Sequence, residues 1–364
     1  MNLFKRMAPH DRIPAAWAQK KKGRNTMLAL RLLVLCGLFA IISWTASAQA
    51  NEEFYRGRTV AIAVPSGASG GYDSYARLLA RHMGRHLPGK PNLVVQNMPG
   101  GAGVRAADYL FNVALQDGTA IGMLEQALYL RQVLEIPGLR GDVRKFNWIG
   151  RLVSNSAVLY AWHTAKVKKI EDAFSNELIV AASGTAPRLN WTALNLLAGT
   201  KLRMITGYEG PAAAKIAMER GEVEAVAQPW PVIRRENAEW LRDKKINLLV
   251  QTGDHNPGLE HLSRMTDLAE TEDNRKVLEI FAAPAFIGRS FMTSPNVPAD
   301  RVTLLRKAFD SMLTDEDFIA DAAKLNLDIE SLPGGELQAY FANVSFAASP
   351  VARAKEVADK AGLK

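Results

Sequence analysis

The stretch Val60-Ala-Ile-Ala-Val-Pro-Ser-Gly-Ala-Ser-Gly-Gly-Tyr-Asp73 runs from a strand-like apolar segment straight into a loop of small residues. Behind it Tyr75, Leu78, Leu79, Met83 and Leu87 recur at helical spacing while Arg77, Arg81 and Arg85 fall on other faces, so the spacing predicts a helix over 74–86 with one side packed on a sheet. Strand, tight turn and amphipathic helix together open a parallel βαβ unit. The rhythm continues with a strand at 93–96, a helix at 106–114 and a strand at 119–124. A second series begins at Leu178-Ile-Val-Ala-Ala182, with helices near 190–197 and 212–220 and strands near 202–205, 225–227 and 248–250. The chain therefore reads as two similar α/β units in succession.

Two longer apolar segments join them. Residues 146–162 (FNWIGRLVSNSAVLYAW) are β-rich without a helical period, and 281–292 (FAAPAFIGRSFM) is a comparable run. A two-strand hinge between lobes needs two such passages. The expected division is 51–155 with 285–364 as lobe 1 and 156–284 as lobe 2. After the second passage the sequence predicts a helix over 298–313, a box Thr314-x-x-Asp317 opening a helix through Leu325, a turn at Pro333-Gly-Gly335, and a helical end to Lys364. That tail has no strand set of its own and is expected to cover lobe 1.

Ahead of both units, 32–42 (LLVLCGLFAII) is apolar, follows Arg31 and the basic residues Lys20, Lys21, Lys22 and Arg24, and leads to Ala46-Ser-Ala-Gln-Ala50. Basic flank, short apolar core and small-residue cleavage site are the order of a secretory signal, and the core falls well below the about 20 residues of a spanning helix. Residues 1–50 are read as a signal peptide cut after Ala48 or Ala50, with Met27 as an alternative start. Of 45 Lys and Arg and 37 Asp and Glu, that segment holds eight and one. The rest is left with 37 basic and 36 acidic side chains, which removes the clustered positive excess that nucleic-acid binding requires. The single cysteine, Cys36, lies in the apolar core of the signal, so the exported chain has no thiol for disulfide, metal or catalysis.

Five small-residue loops follow strands: Ser66, Gly67, Ala68, Ser69, Gly70 and Gly71 after the first; Asn97, Gly100, Gly101 and Ala102 after the second; Ser183, Gly184 and Thr185, with Arg188 a turn later; Tyr208 in Gly207-Tyr-Glu-Gly210; and Gln228 before Trp230. Glycine lets backbone N–H groups approach a ligand, and ligands of open α/β sheets bind beyond the carboxyl ends of strands. One such loop is an ordinary turn. Five at corresponding positions point to binding. Asp73 reads as the cap that holds the first loop, His82 and His86 as surface or packing residues, and Trp191 and Trp230 as buried packing or cleft walls. Two motifs compete. Gly67-Ala-Ser-Gly-Gly71 fits a hydrolase elbow but follows the first strand, and the last histidine, His261, comes early for a triad. Gly101-Ala-Gly-Val-Arg-Ala106 with Glu125 has dinucleotide spacing, the basis of an alternative reading as an oxidoreductase. Against it stand Asn97-Met-Pro99 between strand and glycines, and export.

The ordered series from Val60 to Asp73, Gln96-Asn-Met-Pro-Gly-Gly-Ala-Gly103, Asp117-Gly-Thr119, Ser183-Gly-Thr, Tyr208-Glu-Gly, Gly221-Glu-Val-Glu224 and Lys360-Ala-Gly-Leu-Lys364 resembles the extracytoplasmic solute receptors of tripartite tricarboxylate transporters, the TctC-like Bug family, over essentially the whole exported chain. The resemblance implies a two-lobed, type II-like Venus flytrap with a two-strand hinge, working in the periplasm without catalysis, cofactor or metal. It implies capture of a small organic carboxylate, held largely by backbone amides and water, and delivery to membrane permease subunits; a same-fold receptor serving a signalling sensor is a further alternative. The chain is expected to be a monomer. It departs from the family where Ser66-Gly-Ala-Ser69 replaces proline and further glycine, Arg188 a common histidine and Glu209 a common lysine. Those changes suit a ligand with fewer anionic groups or with an amine, with Arg188 favouring a fixed carboxylate.

Overall fold

A computed structural model describes residues 54–68, 70–182, 185–208, 211–254, 256–343 and 348–362. The expected signal 1–50, with Met27 and both cleavage positions, lies outside the described residues, as do Ser69, Ser183, Gly184 and Glu209. The first unit runs β1 (Thr59–Val64), α1 (Gly71–His82), β2 (Asn92–Asn97), α2 (Val104–Asp108), β3 (Ala120–Met123), α3 (Leu128–Val133) and β4 (Asn147–Arg151). The second runs β5 (Ala157–Trp162), β6 (Leu178–Ala181), α4 (Thr185–Leu197), β7 (Leu202–Ile205), α5 (Pro211–Glu219), β8 (Ala225–Pro229), α6 (Trp230–Glu236), α7 (Ala238–Arg242), β9 (Ile246–Gln251) and α8 (Glu272–Ile287). The chain then returns through β10 (Ser290–Thr293), α9 (Ala299–Leu313), α10 (Glu316–Lys324), β11 (Leu332–Pro333), α11 (Gly334–Asn343) and α12 (Ala348–Lys360).

One sheet has the order β11-β4-β10-β3-β1-β2 and the other β7-β6-β8-β5-β9. The two repeat a plan. In each, three βα strands lie parallel, and the next place is taken by an antiparallel strand that has just crossed from the other unit, β10 beside β3 and β5 beside β8. This is the two-lobed α/β architecture expected. Val60, Ile62 and Val64 of β1 and all of β3 are buried because helices cover both faces. In α1, Leu78 and Leu79 face the core while Arg77 and Arg81 stay exposed, and Met83–His86 continues as a 3-10 turn.

The chain crosses between sheets at 152–156 and at Gly288-Arg289, and the crossings pair: Leu152 N–H donates to the Arg289 carbonyl (3.0 Å) and Arg289 N–H to that of Val153 (2.9 Å). The second passage differs from expectation, since Phe281 to Ile287 finish α8 and only Ser290–Thr293 is strand. Its apolar residues Phe281, Ala283, Ala285 and Ile287 are buried in helical form. Gly288 ends that helix at φ +51°, and a Cβ there would lie 2.1 Å from the Val153 carbonyl oxygen, so only glycine brings the crossings this close.

The tail divides. Leu305, Phe309, Met312 and Phe318 of α9 and α10 join the core of the first sheet, and α11 packs on β4. The last helix does not cover lobe 1 as expected: α12 lies on α4 and α8, its Ala354, Val357 and Ala358 sharing a cluster with Leu189, Leu194, Val277 and Leu278. Its apolar stripe has a facing partner there. The box at Thr314 also shifts by one residue: Thr314 donates to the Ser311 carbonyl at the end of α9, and Asp315 caps α10 by accepting from Asp317 N–H (3.0 Å). Asp315 is held there by Arg85 and His86, as His82 is by Asp321, so both histidines join α1 to α10.

Candidate functional site

The loops after β1 and β2 stand side by side because their strands pair along their whole length, Val64 opposite Asn97. Gly67 and Ala68 of the first loop and Gly100, Gly101 and Ala102 of the second are exposed. Gly100, Gly101, Ala102 and Gly103 all have positive φ, a backbone that turns successive peptide groups outward and that glycine makes accessible. Asn97 ties the loops together, its side-chain amide donating to the Ser66 carbonyl (3.0 Å) and to the Asp73 carboxylate (2.9 Å). Asp73 is not the helix cap expected. Gly70 occupies that position without a side-chain bond, and Asp73 sits buried in the first turn, where it accepts from Arg77 Nε (2.8 Å). Through Asn97 it ties the first loop to the end of β2.

The dinucleotide spacing does not produce a dinucleotide turn. Gly101–Gly103 forms a 3-10 turn leading into the five-residue α2 and then a π turn at Tyr109–Val113. A Cβ on Gly103 would meet the Glu125 side chain at 2.5 Å, so that glycine makes room for Glu125. The Glu125 carboxylate in turn accepts from the Tyr72 hydroxyl (3.3 Å) and from Ala127 N–H (2.8 Å). It is folded against its own lobe, away from the role a ribose-binding acid would have.

In the second lobe, Thr185 is exposed at the start of α4. Arg188, one turn on, is half-buried and donates to the Ala361 carbonyl at the end of α12, a helix C-terminus where a cation is favoured. Tyr208 packs against the core of this lobe. Gln228 is buried, its side-chain carbonyl accepting from Tyr160 (2.7 Å) and Asn237 (3.0 Å), while Lys215 donates to Asn237 (2.7 Å). Trp191 and Trp230 are both buried. Among the described residues, the exposed loop backbone of lobe 1, Gly71 and Thr185 are thus the expected ones that stand open, while Asn97, Arg188 and Gln228 are engaged in ties within the protein.

The sequence reading missed a group beside the first loop. Strand β10 runs antiparallel to β3 with Phe291 opposite Met123, and continuing that register sets Arg289 level with Glu125 at the carboxyl edge of the sheet. The Arg289 guanidinium lies 3.9 Å from the centre of the Tyr72 ring, donates to Gln126 Oε1 (3.1 Å), and stands 3.7 Å from where a Cβ of Gly71 would be. Burial pushes the Tyr72 hydroxyl up to about 12, against the pull of Arg289, so it stays a neutral hydroxyl that donates to Glu125 and accepts from Gln126 N–H (3.1 Å). Burial also raises the Glu125 carboxyl, against the bonds from Ala127 and Tyr72 and the nearby Arg289. The only sequence signal for Arg289 was a lone cation in an apolar passage. Among the described residues no group of three or more His, Cys, Asp or Glu could hold a metal ion.

No family model matches the sequence, and no curated protein does. Among solved structures the chain is similar to a TctC solute-binding protein from Polaromonas, without ligand, at 20% identity over 84% of this chain and 99% of that one, with a TM-score of 0.65. It is similar to the periplasmic binding protein BugD at 20% identity, covering 85% and 99%, with a TM-score of 0.52. A protein from R. palustris with adipate matches at 20% identity, covering 84% and 98%, also with a TM-score of 0.52. The resemblance read from the motifs is borne out at the level of the fold: two lobes, each an α/β sheet, with two chain crossings that hydrogen-bond to each other.

Proposed function

We propose that the chain is a periplasmic receptor of the TctC-like Bug family that captures a small organic carboxylate and delivers it to the permease subunits of a tripartite-type transporter. The observation that carries this reading is the pair of exposed, glycine-built loops at 67–68 and 100–102, side by side on a strand edge of one lobe of a two-lobed, hinge-joined fold. Backbone amides in such loops bind an anion without a cationic side chain. The solved relatives of this fold include one with adipate, which supports the carboxylate class. In the proposed mechanism open and closed lobe arrangements interconvert, and a solute touching both lobes shifts the population to the closed form that the permease reads. In this reading the described residues of the site are Gly67, Ala68, Gly100, Gly101 and Ala102 in lobe 1 and Thr185 in lobe 2.

The test is a thermal-shift panel of mono-, di- and tricarboxylates, adipate among them, beside NAD and NADP. A ligand that binds only the folded state at a hundred times its Kd stabilises by about 2.7 kcal/mol, which is read as a rise of several degrees in Tm. A rise with one or more carboxylates and none with the nucleotides is expected. A rise with a nucleotide alone would transfer the glycine loops to the oxidoreductase reading.

A further inference from the structure

We infer that Arg289 is the specificity-determining side chain of this cleft, the group through which lobe 1 grips the carboxylate of the ligand; the inference rests on the carboxylate-receptor reading above. The guanidinium is placed by three independent features. Its backbone is locked between the crossings by the Leu152 and Val153 bonds. Its plane is set by stacking on Tyr72 at 3.9 Å. One of its arms is fixed by donation to Gln126 Oε1. An arginine carries five N–H donors, and among the described residues that donation is the one hydrogen bond the Arg289 side chain makes. It also makes no ion pair there, whereas the arginines along α1 and the turn after it do: Arg77 with Asp73, Arg81 with Asp321, Arg85 with Asp315.

Glu125, level with Arg289 on the neighbouring strand, gives its oxygens to Tyr72 and Ala127. Among the described residues, what remains is a half-buried, pre-oriented cation with unused donors. Gly71, the residue next to it, has no side chain to fill the space between Arg289 and the first loop. A fixed fork of donors of which the described residues use one fits a planar, bidentate acceptor, which is what a carboxylate offers. The ligand therefore meets the exposed loop amides and this cation together, and a neutral analogue of the same shape is discriminated against.

The experiment titrates the protein purified from expression of the full chain with succinate, glutarate and adipate and with the monoamide of each, in wild type, Arg289→Gln and Arg289→Lys, with the unliganded Tm of each measured alongside. The expected result is that the tightest-binding diacid loses about ten- to a hundredfold in affinity in R289Q, less in R289K, and that the preference for diacid over monoamide shrinks in R289Q. A purely structural arginine would lower the free Tm and leave that preference unchanged, which overturns the inference. Equal diacid affinity in wild type and R289Q overturns it too while leaving the receptor reading intact. If no carboxylate binds wild type, the receptor reading falls and the inference with it. Should R289Q fail to fold, R289K decides, because lysine keeps the charge but lacks the bidentate fork; unchanged affinity there counts against Arg289.

Discussion

Asn97 shows how much of a pair of loops can hang on one amide. Both N–H groups of its side chain are used, on the Ser66 carbonyl and the Asp73 carboxylate, and its oxygen accepts from Arg77 (3.3 Å). Replacing it with alanine leaves Asp73, 2% exposed, with one donor fewer in a place where water cannot fully substitute. A loss of about 1–3 kcal/mol is expected from urea denaturation. Asn97→Asp should cost more than Asn97→Ala, since it turns two donors into a second carboxylate facing the first. If the order is reversed, the tie does not hold the loops. The sequence marked Asn97 and Asp73 but not the tie between them: Asp73 sits where a cap is common, and it accepts from Asn97, 24 residues away at the end of β2, as well as from Arg77. Arg188 is the same kind of case, its partner being the end of a helix 173 residues on.

At the scale of elements, the turn at Val143–Lys145 leading into β4 depends on Asp142. The carboxylate accepts from Arg144 N–H (3.0 Å) and from Gln132 Nε2 of α3 (2.6 Å), and pairs with Arg144 Nη2 (2.7 Å). Burial alone would raise its pKa, but these bonds more than offset that and hold it at about 2. A folded value below the unfolded value of about 3.9 means that the contribution is complete above that value and is lost as pH falls towards 2. Wild type should therefore lose more of its urea midpoint between pH 5 and pH 2.5 than Asp142→Asn does, and parallel profiles would sink the assignment. Elements with strong local periods, α1 and β1 above all, were legible from sequence. The passage at 281–292 was not, because a fully buried apolar run has no polar face to mark helix from strand.

For the molecule as a whole, one described ion pair between the two units is Arg234 of α6 with Asp328, beyond α10 (3.4 Å). Both side chains are more than a third exposed, at 46% and 38%, and such pairs contribute about 0.2–1 kcal/mol. The pair is too weak to latch the lobes. Arg234→Ala or Asp328→Ala is expected to change ligand affinity by less than about fivefold, measured by titration at two salt concentrations. A larger effect would mean that this pair, and not the ligand and the paired crossings, sets how the two units meet. The apolar cluster that runs from Leu128 and Tyr129 of α3 through Phe281 of α8 to Val357 of α12 is the sturdier link between the two units.

By itself the sequence determined that there are two α/β units, where their strands and glycine loops fall, and that the positive charge excess belongs to residues 1–50. These are properties of local period and composition, which each segment carries without its neighbours. Only the tertiary structure decided which loop residues stand open and which are spent on internal ties, where α12 packs, and that Arg289 comes level with Glu125 beside Tyr72. Each of those depends on strand order and on hydrogen bonds between residues far apart in the chain, and a donor's availability to a ligand is known only once every partner that could use it has been placed.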